Sequence, residues 1–435
     1  MRRIASATMM ILTNVVALWQ SALGLLQVFG FRYSGHARFV LTGSLDNPGP
    51  YGGLLAVLCA VLGAYVLHNI KSDELEKKIL SAFSGLSCIL CLILLPASMS
   101  RAAWLSLAVA AFVFGVYEMN LLEWMKSHRQ KTVVLVAVAA ILLMGIFYMK
   151  KDSAIGRLHI WHMELRAIAQ EPWNGHGRGS ILGVYGETQA EYFALKQRPA
   201  VIVKVAGCPE YAFNEYLKIG VEYGIPAMLG VIAILTGVIV LLLRHGSPSA
   251  YGLIAFCVFA FFSYPLSAVR IKTDAEKEWE SLRYLVTMEL YEDAVEQLLP
   301  LRKDLQGNFR YLYDLGYSLH KLGKYDQSNE VLFQGSRISS DPLFHVMIAK
   351  NHQAKGCCSD AEDELLRAHH MVPGRIYSLS LLMDLKIRMG DVREAVQIGE
   401  MIKVMQVNEK VPAMRRIWNE CVVRLDSLKL LGNNE

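Results

Sequence analysis

The chain has 435 residues, and its composition is that of a membrane protein rather than a soluble one. Hydrophobic residues make up 53% of the positions and charged residues only 19%, whereas a soluble domain carries about 25% charged residues. The formal net charge of +5 is modest for this length, and without a basic stripe it argues against nucleic-acid binding. The long apolar runs lie in residues 1–270, and residues 271–435 have an ordinary soluble composition.

Seven apolar runs in the first part approach or exceed the roughly 20 residues that a membrane-spanning helix needs. Backbone polar groups find no hydrogen-bond partner in lipid, so each run should be helical. The first run has no clear small-residue cleavage site, and we expect a retained helix rather than a signal peptide. The seven runs are 9–31, 52–70, 79–97, 102–117, 132–149, 217–243 and 251–269.

The distribution of Lys and Arg over the short loops predicts the orientation of these helices. One set of loops holds nine basic residues: Arg2, Arg3, Lys71, Lys77, Lys78, Lys126, Arg129, Lys131 and Arg244. The opposite set holds three: Arg32, Arg38 and Arg101. We therefore expect a cytoplasmic N-terminus. Seven spans then place the segment 150–216 and the C-terminal tail on the periplasmic side.

The tail contains a repeated pattern, in which a turn is followed by a helix start with a small residue. Ala294, Ser328, Ala361 and Ala395 occupy this position at spacings of 34, 33 and 34 residues. The period resembles that of the tetratricopeptide repeat, a helix–turn–helix unit of 34 residues. The sequence therefore predicts an all-α protein, with a polytopic transmembrane domain at 1–270 and a soluble α-solenoid at 271–435. Such solenoids usually bind a protein partner; a purely structural tail is the alternative.

The cysteines indicate no metal site or redox centre. Cys88 and Cys91 form a CxxC, but they lie within an apolar run, where a zinc or redox role is improbable. Cys357 and Cys358 are adjacent in the tail and would oxidise only if exported. Small residues that fill helix contacts are the simpler interpretation, and we expect neither a metal nor a cofactor.

The chemistry is expected in the polar segment 150–216 and its flanks. Gly156-Arg157 with Trp161 opens this segment, and the turn Gly175-x-Gly177-x-Gly179 follows Pro172. Asn214-Glu215 ends it, with Glu222 and Gly224 further on. Together with the stretches 42–48 and 100–104, these motifs resemble the O-antigen ligase/polymerase superfamily, which includes pilin-type O-oligosaccharyltransferases. The resemblance covers about residues 20–268.

The resemblance implies a bacterial inner-membrane glycosyltransferase of lipopolysaccharide or other envelope polysaccharide assembly. Such enzymes are similar in using a polyprenyl-pyrophosphate-linked glycan as donor. They transfer the glycan on the periplasmic side to a sugar or protein hydroxyl, without a nucleotide sugar or an obligatory metal. The expected partners are therefore this lipid-linked glycan and the bilayer, with a protein partner possible on the tail.

Two arginines are candidates for binding the donor pyrophosphate, because guanidinium groups bind phosphate oxygens bidentately. Arg101 begins the fourth run, and Arg157 lies at the start of the segment 150–216. Under the predicted topology both lie at the periplasmic face. The alternatives are interfacial snorkelling for Arg101 and a solvated loop charge for Arg157.

The general base is the least determined part of the site. Many relatives have a His directly before the Asn of the last motif, and here that position is Phe213. A phenyl ring cannot accept a proton. Glu215 is the preferred replacement; the alternatives are Glu222, His159, His162 and catalysis by positioning alone.

The remaining candidates are expected to contact the substrate rather than to react. They are Asn214, Trp161, His159, Gly175, Gly177, His176 and Glu222. A second class of function stays open, because relatives generally have more spans and carry the missing His. In that alternative the chain is a non-catalytic membrane scaffold, for example a shortened family member, that recruits envelope-assembly partners through its tail.

Overall fold

A computed structural model describes residues 2–149, 151–268, 272–405 and 411–432 of the chain. Helices and their connecting loops account for these residues, and no strand occurs within these four ranges, so the predicted all-α class is confirmed. In chain order the α-helices are α1 (Arg2–Val28), α2 (Pro48–Asn69), α3 (Leu75–Ala97), α4 (Arg101–Glu118), α5 (Leu121–Ser127), α6 (Arg129–Met149), α7 (Lys151–Gln170), α8 (Ile181–Ala194), α9 (Ala200–Val205), α10 (Glu215–Arg244), α11 (Ser249–Phe262), α12 (Pro265–Ala268), α13 (Asp274–Thr287), α14 (Tyr291–Leu298), α15 (Phe309–Lys321), α16 (Tyr325–Ser336), α17 (Leu343–Ala354), α18 (Cys358–Met371), α19 (Ile376–Met389), α20 (Val392–Val404) and α21 (Pro412–Gly432).

By their internal packing the residues form two compact units. Unit 1 consists of Met1–Lys151, Ala212–Ile219 and Pro226–Arg270. Unit 2 consists of Asp152–Tyr211, Gly220–Ile225 and Ile271–Glu435. Most of the polar segment therefore packs with the repeats, which sequence reasoning did not foresee. The functional division at residue 270 stays a prediction.

Five helical stretches are long and apolar enough to cross a membrane: Ala7–Val28, Pro48–Asn69, Leu75–Ala97, Arg101–Glu118 and Glu215–Arg244. They fall on the first four predicted runs and on the sixth. The seventh run coincides with the shorter apolar helix Ser249–Phe262. The fifth falls on α6, where several side chains lie outside the described part of the chain. The protein is multi-pass, and the number of seven spans stays a prediction.

Helix α2 forms the centre of unit 1, where it packs against α1, α3, α4 and α11. Tyr251 at the start of α11 donates a hydrogen bond of 2.8 Å to Glu118 at the end of α4. His68, in the last turn of α2, lies 3.3 Å from the same carboxylate. At the opposite end, Ser100 before α4 donates to the carbonyl of Gly49 in the first turn of α2, at 3.3 Å. Helices α2 and α4 therefore run in the same direction and α11 runs against them.

Buried polar side chains join α1 to α3, as expected where lipid offers no other hydrogen-bond partners. Asn14 donates to Ser84 Oγ at 2.9 Å and accepts from Ser87 Oγ at 2.8 Å. All three side chains are buried. These bonds fix the rotation of α1 against α3, because a turn of either helix would leave them unsatisfied in an apolar environment.

In unit 2, helices α13 to α20 form consecutive hairpins, and each helix packs against the next along the chain. The four small residues at the repeated position, Ala294, Ser328, Ala361 and Ala395, are each 0% exposed. The Ser328 hydroxyl donates to the carbonyl of Gly316 in the partner helix at 2.7 Å, so the two backbones approach closely. The prediction of tetratricopeptide-like repeats is confirmed.

The segment 152–211 packs onto the repeats through α8, which contacts α18. A Cβ on Gly183 would lie 2.0 Å from the carbonyl oxygen of Arg337, so only glycine permits this approach. The buried Gln189 donates from Nε2 to the carbonyls of Gly207 and Met371. This part of the repeat surface is therefore covered by the chain's own helix.

A buried histidine in unit 2 forms ion pairs with carboxylates on α8 and α18. His345 on α17 lies 2.5 Å from Glu364 and 3.5 Å from Glu187, and its side chain is 1% exposed. Burial alone would lower the pKa of His345, but the neighbouring carboxylates of Glu187 and Glu364 outweigh burial and raise it. Glu187, which also faces Arg367, has a lowered pKa in turn. The imidazolium form therefore joins α8 to the α17–α18 hairpin.

The raised pKa of His345 predicts that unit 2 loses stability as pH rises. The contribution is complete below the unfolded histidine pKa of about 6.5 and disappears as pH passes the higher folded value. His345→Gln should cost about 1–3 kcal/mol at pH 6, because Glu364 loses its cation and Glu187 retains only Arg367. Thermal unfolding of the full chain at several pH values measures both effects. An equal cost at pH 6 and pH 9 would contradict this assignment.

Candidate functional site

The helix ends that carry Arg101 and Glu215 meet at one end of unit 1, which we call the loop end. Helices α2 and α4 both begin there, as the Ser100–Gly49 bond shows. Helix α11 ends there, since a Cβ on Gly53 of α2 would lie 2.3 Å from the ring of Phe259. The Tyr216 hydroxyl of α10 donates to the carbonyl of Cys257 in α11 at 3.1 Å. Three helix N-termini, those of α2, α4 and α10, therefore lie at this end.

Asn214 and Glu215 are both held by the backbone of unit 1. Asn214 is the N-cap of α10, and its Oδ1 accepts from the N–H groups of Tyr216 and Leu217 at 3.0 Å each. Glu215 is 4% exposed, and its Oε1 accepts from the N–H groups of Leu266 and Ser267 at 2.9 and 3.3 Å. This carboxylate thus ties the start of α10 to α12.

The second oxygen of Glu215 faces a cation. Lys218 Nζ, one turn along α10, lies 3.9 Å from Glu215 Oε2 and donates to Ser267 Oγ at 2.9 Å. Glu215 Oε2 is accordingly the oxygen on which a role as base depends, because Oε1 is already engaged.

Phe213, directly before Asn214, has a left-handed backbone with φ of 55°. Bulky residues rarely adopt this conformation, and residues that do cluster at functional sites. Its ring packs edge-on against Tyr264, with 5.2 Å between centroids. This strained residue leads directly into Asn214, the N-cap of α10, and Glu215, the first residue of that helix.

Arg101 is the first residue of α4, directly after the N-cap Ser100, whose side chain makes no capping hydrogen bond. A cation at a helix N-terminus opposes the helix dipole, whereas an anion there is stabilised by it. An arginine at a helix N-terminus is an arrangement that suits the binding of an anion.

Two buried glutamines of α1 hold the first loop at the loop end. Gln27 Oε1 accepts from the N–H groups of Thr42 and Gly43, and its Nε2 donates to the Gly43 carbonyl, all at 2.8–2.9 Å. Gln20 Nε2 donates to Ser44 Oγ at 2.7 Å. The motif at 42–48 is thus fixed beside the start of α2, where Asn47 is the N-cap.

Arg157 and Trp161 lie in unit 2, both half-buried and on helix α7. Their spacing of four residues puts them on one face of the helix, and Glu164 continues that face at a spacing of three. Sequence reasoning missed Glu164. Its side chain is 1% exposed, and neither carboxylate oxygen has a hydrogen-bond partner among the described residues. Burial raises its pKa well above the usual range, which favours the neutral acid.

His159 lies on another face of α7 and has a structural contact. It is 4% exposed, and its Nε2 donates to Gln189 Oε1 at 2.7 Å. Burial lowers the pKa of His159, an effect that the bond to Gln189 only partly opposes. His159 is therefore neutral at pH 7 and supports the packing of α7 on α8.

The glycine turn at 175–179 is hydrogen-bonded to the backbone of α10 near its kink, so its amides at 176 and 177 are not available to a ligand. Gly175, Gly177 and Gly179 all have positive φ, which confirms the turn. The N–H groups of His176 and Gly177 donate to the carbonyls of Val221 and Glu222 at 2.8 and 3.0 Å. These two amides are thus engaged and do not face a phosphate.

The kink itself requires close approach of two backbones. Gly224 interrupts α10 with φ of 82°, and a Cβ there would lie 2.3 Å from the carbonyl oxygen of Trp173. His176 Nε2 donates to the carbonyl of Ala167 at 2.9 Å, and Glu222 is 5% exposed. In unit 2 these residues form a packed structural connection, and their expected substrate contacts remain predictions.

The comparisons with known proteins support the predicted family. The model of the O-antigen ligase family matches residues 86–232, which include Arg101, Arg157, Asn214 and Glu215. This match supports a membrane-bound protein of the envelope glycan ligase or polymerase type. None of the curated proteins compared with the chain matches it significantly.

Solved structures similar to this chain are repeat proteins. MamA from Desulfovibrio magneticus RS-1 is 18% identical, with a TM-score of 0.27, over 38% of this chain and 89% of that chain. The nearly identical TPR-like repeats of a kinesin light chain from Podosopora anserina are 16% identical, with a TM-score of 0.29, over 38% of this chain and 100% of that chain.

The burial of Glu164 predicts that a neutral side chain is more stable at this position. The unfolded carboxyl ionises near pH 4.5 and the folded one only at a higher pH, so stability falls as pH rises between the two pKa values, by at most about 1.4 kcal/mol per pH unit. Glu164→Gln should therefore raise the melting temperature at pH 7.5 and not at pH 4. Glu171→Gln, at an exposed carboxylate just after α7, is the control. Destabilisation by Glu164→Gln at pH 7.5 would show that the carboxylate is needed ionised.

Proposed function

We propose that the chain is a membrane glycosyltransferase that moves a glycan from polyprenyl pyrophosphate to an acceptor hydroxyl in envelope polysaccharide assembly. One observation carries this proposal: three helix N-termini, Arg101 and Glu215 lie at the loop end of unit 1, within or beside the residues that match the O-antigen ligase family. The protein would lie in the bacterial inner membrane with its repeat tail in the periplasm.

The loop end suits the pyrophosphate of a lipid-linked donor. Helix N-termini carry partial positive charge, which favours a bound anion. Arg101 adds a guanidinium and Lys218 an ammonium on helices α4 and α10. Both helices are apolar along their length, so the charged end lies where a phosphate attached to a membrane lipid would be.

The reaction needs one proton acceptor and one stabilised leaving group. The acceptor hydroxyl oxygen attacks the anomeric carbon as its proton passes to Glu215 Oε2. The bond between that carbon and the phosphate oxygen breaks, and its electron pair leaves with polyprenyl pyrophosphate, whose charge Arg101 stabilises. Attack opposite the leaving group inverts the anomeric centre. The N–H groups of Leu266 and Ser267 hold the carboxylate in place.

Arg157 and Trp161 are proposed as contacts to the phosphate or glycan of a substrate. Guanidinium groups bind phosphate and hydroxyl oxygens, and an indole face packs against the apolar side of a sugar ring. The two side chains share one face of α7. Asn214 retains its side-chain Nδ2 as a donor, since only its oxygen caps α10.

The scaffold alternative rests on Phe213. A chain that lacks the usual histidine and relies on a carboxylate engaged with two N–H groups could have lost transfer while keeping the fold. Recruitment through the repeat tail would then be its remaining function.

Glycan transfer in reconstituted vesicles tests the proposal. Wild-type protein should transfer glycan from a lipid-linked oligosaccharide, and Arg101→Ala should slow transfer on the order of 100-fold, as does loss of a transition-state donor elsewhere. Glu215→Gln should also slow it at least 100-fold, because the amide keeps an oxygen for the N–H groups of Leu266 and Ser267 but cannot accept the proton.

Arg32→Ala is the matched control, since Arg32 is an exposed arginine of the first loop. It should transfer glycan at the wild-type rate. Failure of a folded wild-type preparation to form product would favour the scaffold. Full activity of Glu215→Gln would remove Glu215 as the base.

A further inference from the structure

The turn between α17 and α18 gathers three side chains of metal-binding type. His352 lies in the last turn of α17, Cys357 is the N-cap of α18, and Asp360 lies in the first turn of α18. One donor atom from each lies within 4.8 Å of the others, and His352 Nδ1 is 3.7 Å from Asp360 Oδ2. We propose that this cluster is a zinc-class transition-metal site, independent of the transferase function.

Main-chain hydrogen bonds in the turn fix the backbone positions of the three candidate ligand residues. The N–H of Cys357 donates to the carbonyl of His352 at 2.9 Å, so two of the three residues are hydrogen-bonded to each other through the main chain. Gly356, with φ of 80°, permits this turn. The N–H of Ala361 then donates to the carbonyl of Cys357 at 3.1 Å as α18 begins. The ligand backbones are thus in place before any ion binds.

The next hairpin has other residue types at the three equivalent positions, and these form an ion pair and a helix cap. Lys386 and Glu394 occupy the positions of His352 and Asp360, one repeat later, and form an ion pair of 2.6 Å. The N-cap there is Asp391, whose side chain accepts from the N–H of Glu394. In the α17–α18 turn the cation is replaced by an imidazole and the capping carboxylate by a thiol, which makes no capping bond.

The donor set decides the class of metal. Imidazole, thiolate and carboxylate are all zinc ligands, and three of them with one water give the four-coordinate arrangement of an open zinc site. Magnesium and calcium take oxygen ligands and are disfavoured. Zinc bonds of about 2.0–2.3 Å place tetrahedral donors about 3.5 Å apart, so the side chains need to close by roughly an ångström.

That movement is open to these residues because all three reach the surface. The Asp360 side chain is 62% exposed and that of His352 20% exposed. Cys358, the adjacent thiol, instead packs against the apolar cluster of the C-terminal hairpins. The two neighbouring cysteines therefore separate into one expected ligand and one matched control. A bound ion would tie the end of α17 to the start of α18.

Metal binding by the full chain in detergent tests the proposal, with zinc(II) and cobalt(II) as probes. Wild-type protein freed of metal should take up one zinc per chain at micromolar concentration. Its cobalt complex should show the charge-transfer absorption of a thiolate ligand. Cys357→Ser and His352→Ala should each weaken binding at least tenfold, whereas Cys358→Ser should bind as wild type does.

The variants must unfold at the wild-type temperature in the absence of metal, so that lost binding is not lost folding. Zinc should raise the melting temperature of wild type and of Cys358→Ser only, because a ligand that binds the folded state stabilises it. No uptake by wild type, or uptake unchanged in Cys357→Ser, would overturn the proposal. A cobalt complex without thiolate absorption would overturn it too.

Discussion

Polar groups inside a bilayer must find partners within the protein, and the organisation of unit 1 follows from this constraint. Gln20 and Gln27 would be costly on a lipid-facing helix, yet both are 2% exposed and bind the loop at 42–44. That loop leads to the N-cap Asn47, so α2 begins where the glutamines place it. The starts of α4 and α10 lie at the same end as the start of α2, and the candidate chemistry depends on this arrangement.

Unit 2 is organised differently, by close backbone approach and buried charge rather than by lipid. Gly183 lets α8 reach the repeats, and Gln189 is bound to a carbonyl 182 residues further along the chain. His345 adds a protonated link to Glu187 and Glu364. The repeats therefore hold part of the polar segment of their own chain, which gives the tail a role within the protein in addition to any external partner.

Periodic features could be predicted from the sequence because they are local. The spacing of Ala294, Ser328, Ala361 and Ala395 indicates repeats, since each must be small where two helices touch. The turn at Gly175 follows from residue type. The partners of Glu215 did not follow, because Leu266 and Ser267 lie 51 and 52 residues away. Glu164 resembles any polar residue in sequence, and only packing shows that it is buried with no hydrogen-bond partner among the described residues.

The central claim is that the loop end of unit 1 binds a lipid pyrophosphate. Binding of a polyprenyl pyrophosphate and of the matching uncharged polyprenol, measured in nanodiscs with wild-type protein and Arg101→Ala, tests it most directly. We expect wild type to bind the pyrophosphate at least tenfold more tightly than the polyprenol, a difference of about 1.4 kcal/mol, and the variant to lose most of this preference. Equal affinity of wild type for the two lipids, or an unchanged preference in Arg101→Ala, would contradict the account.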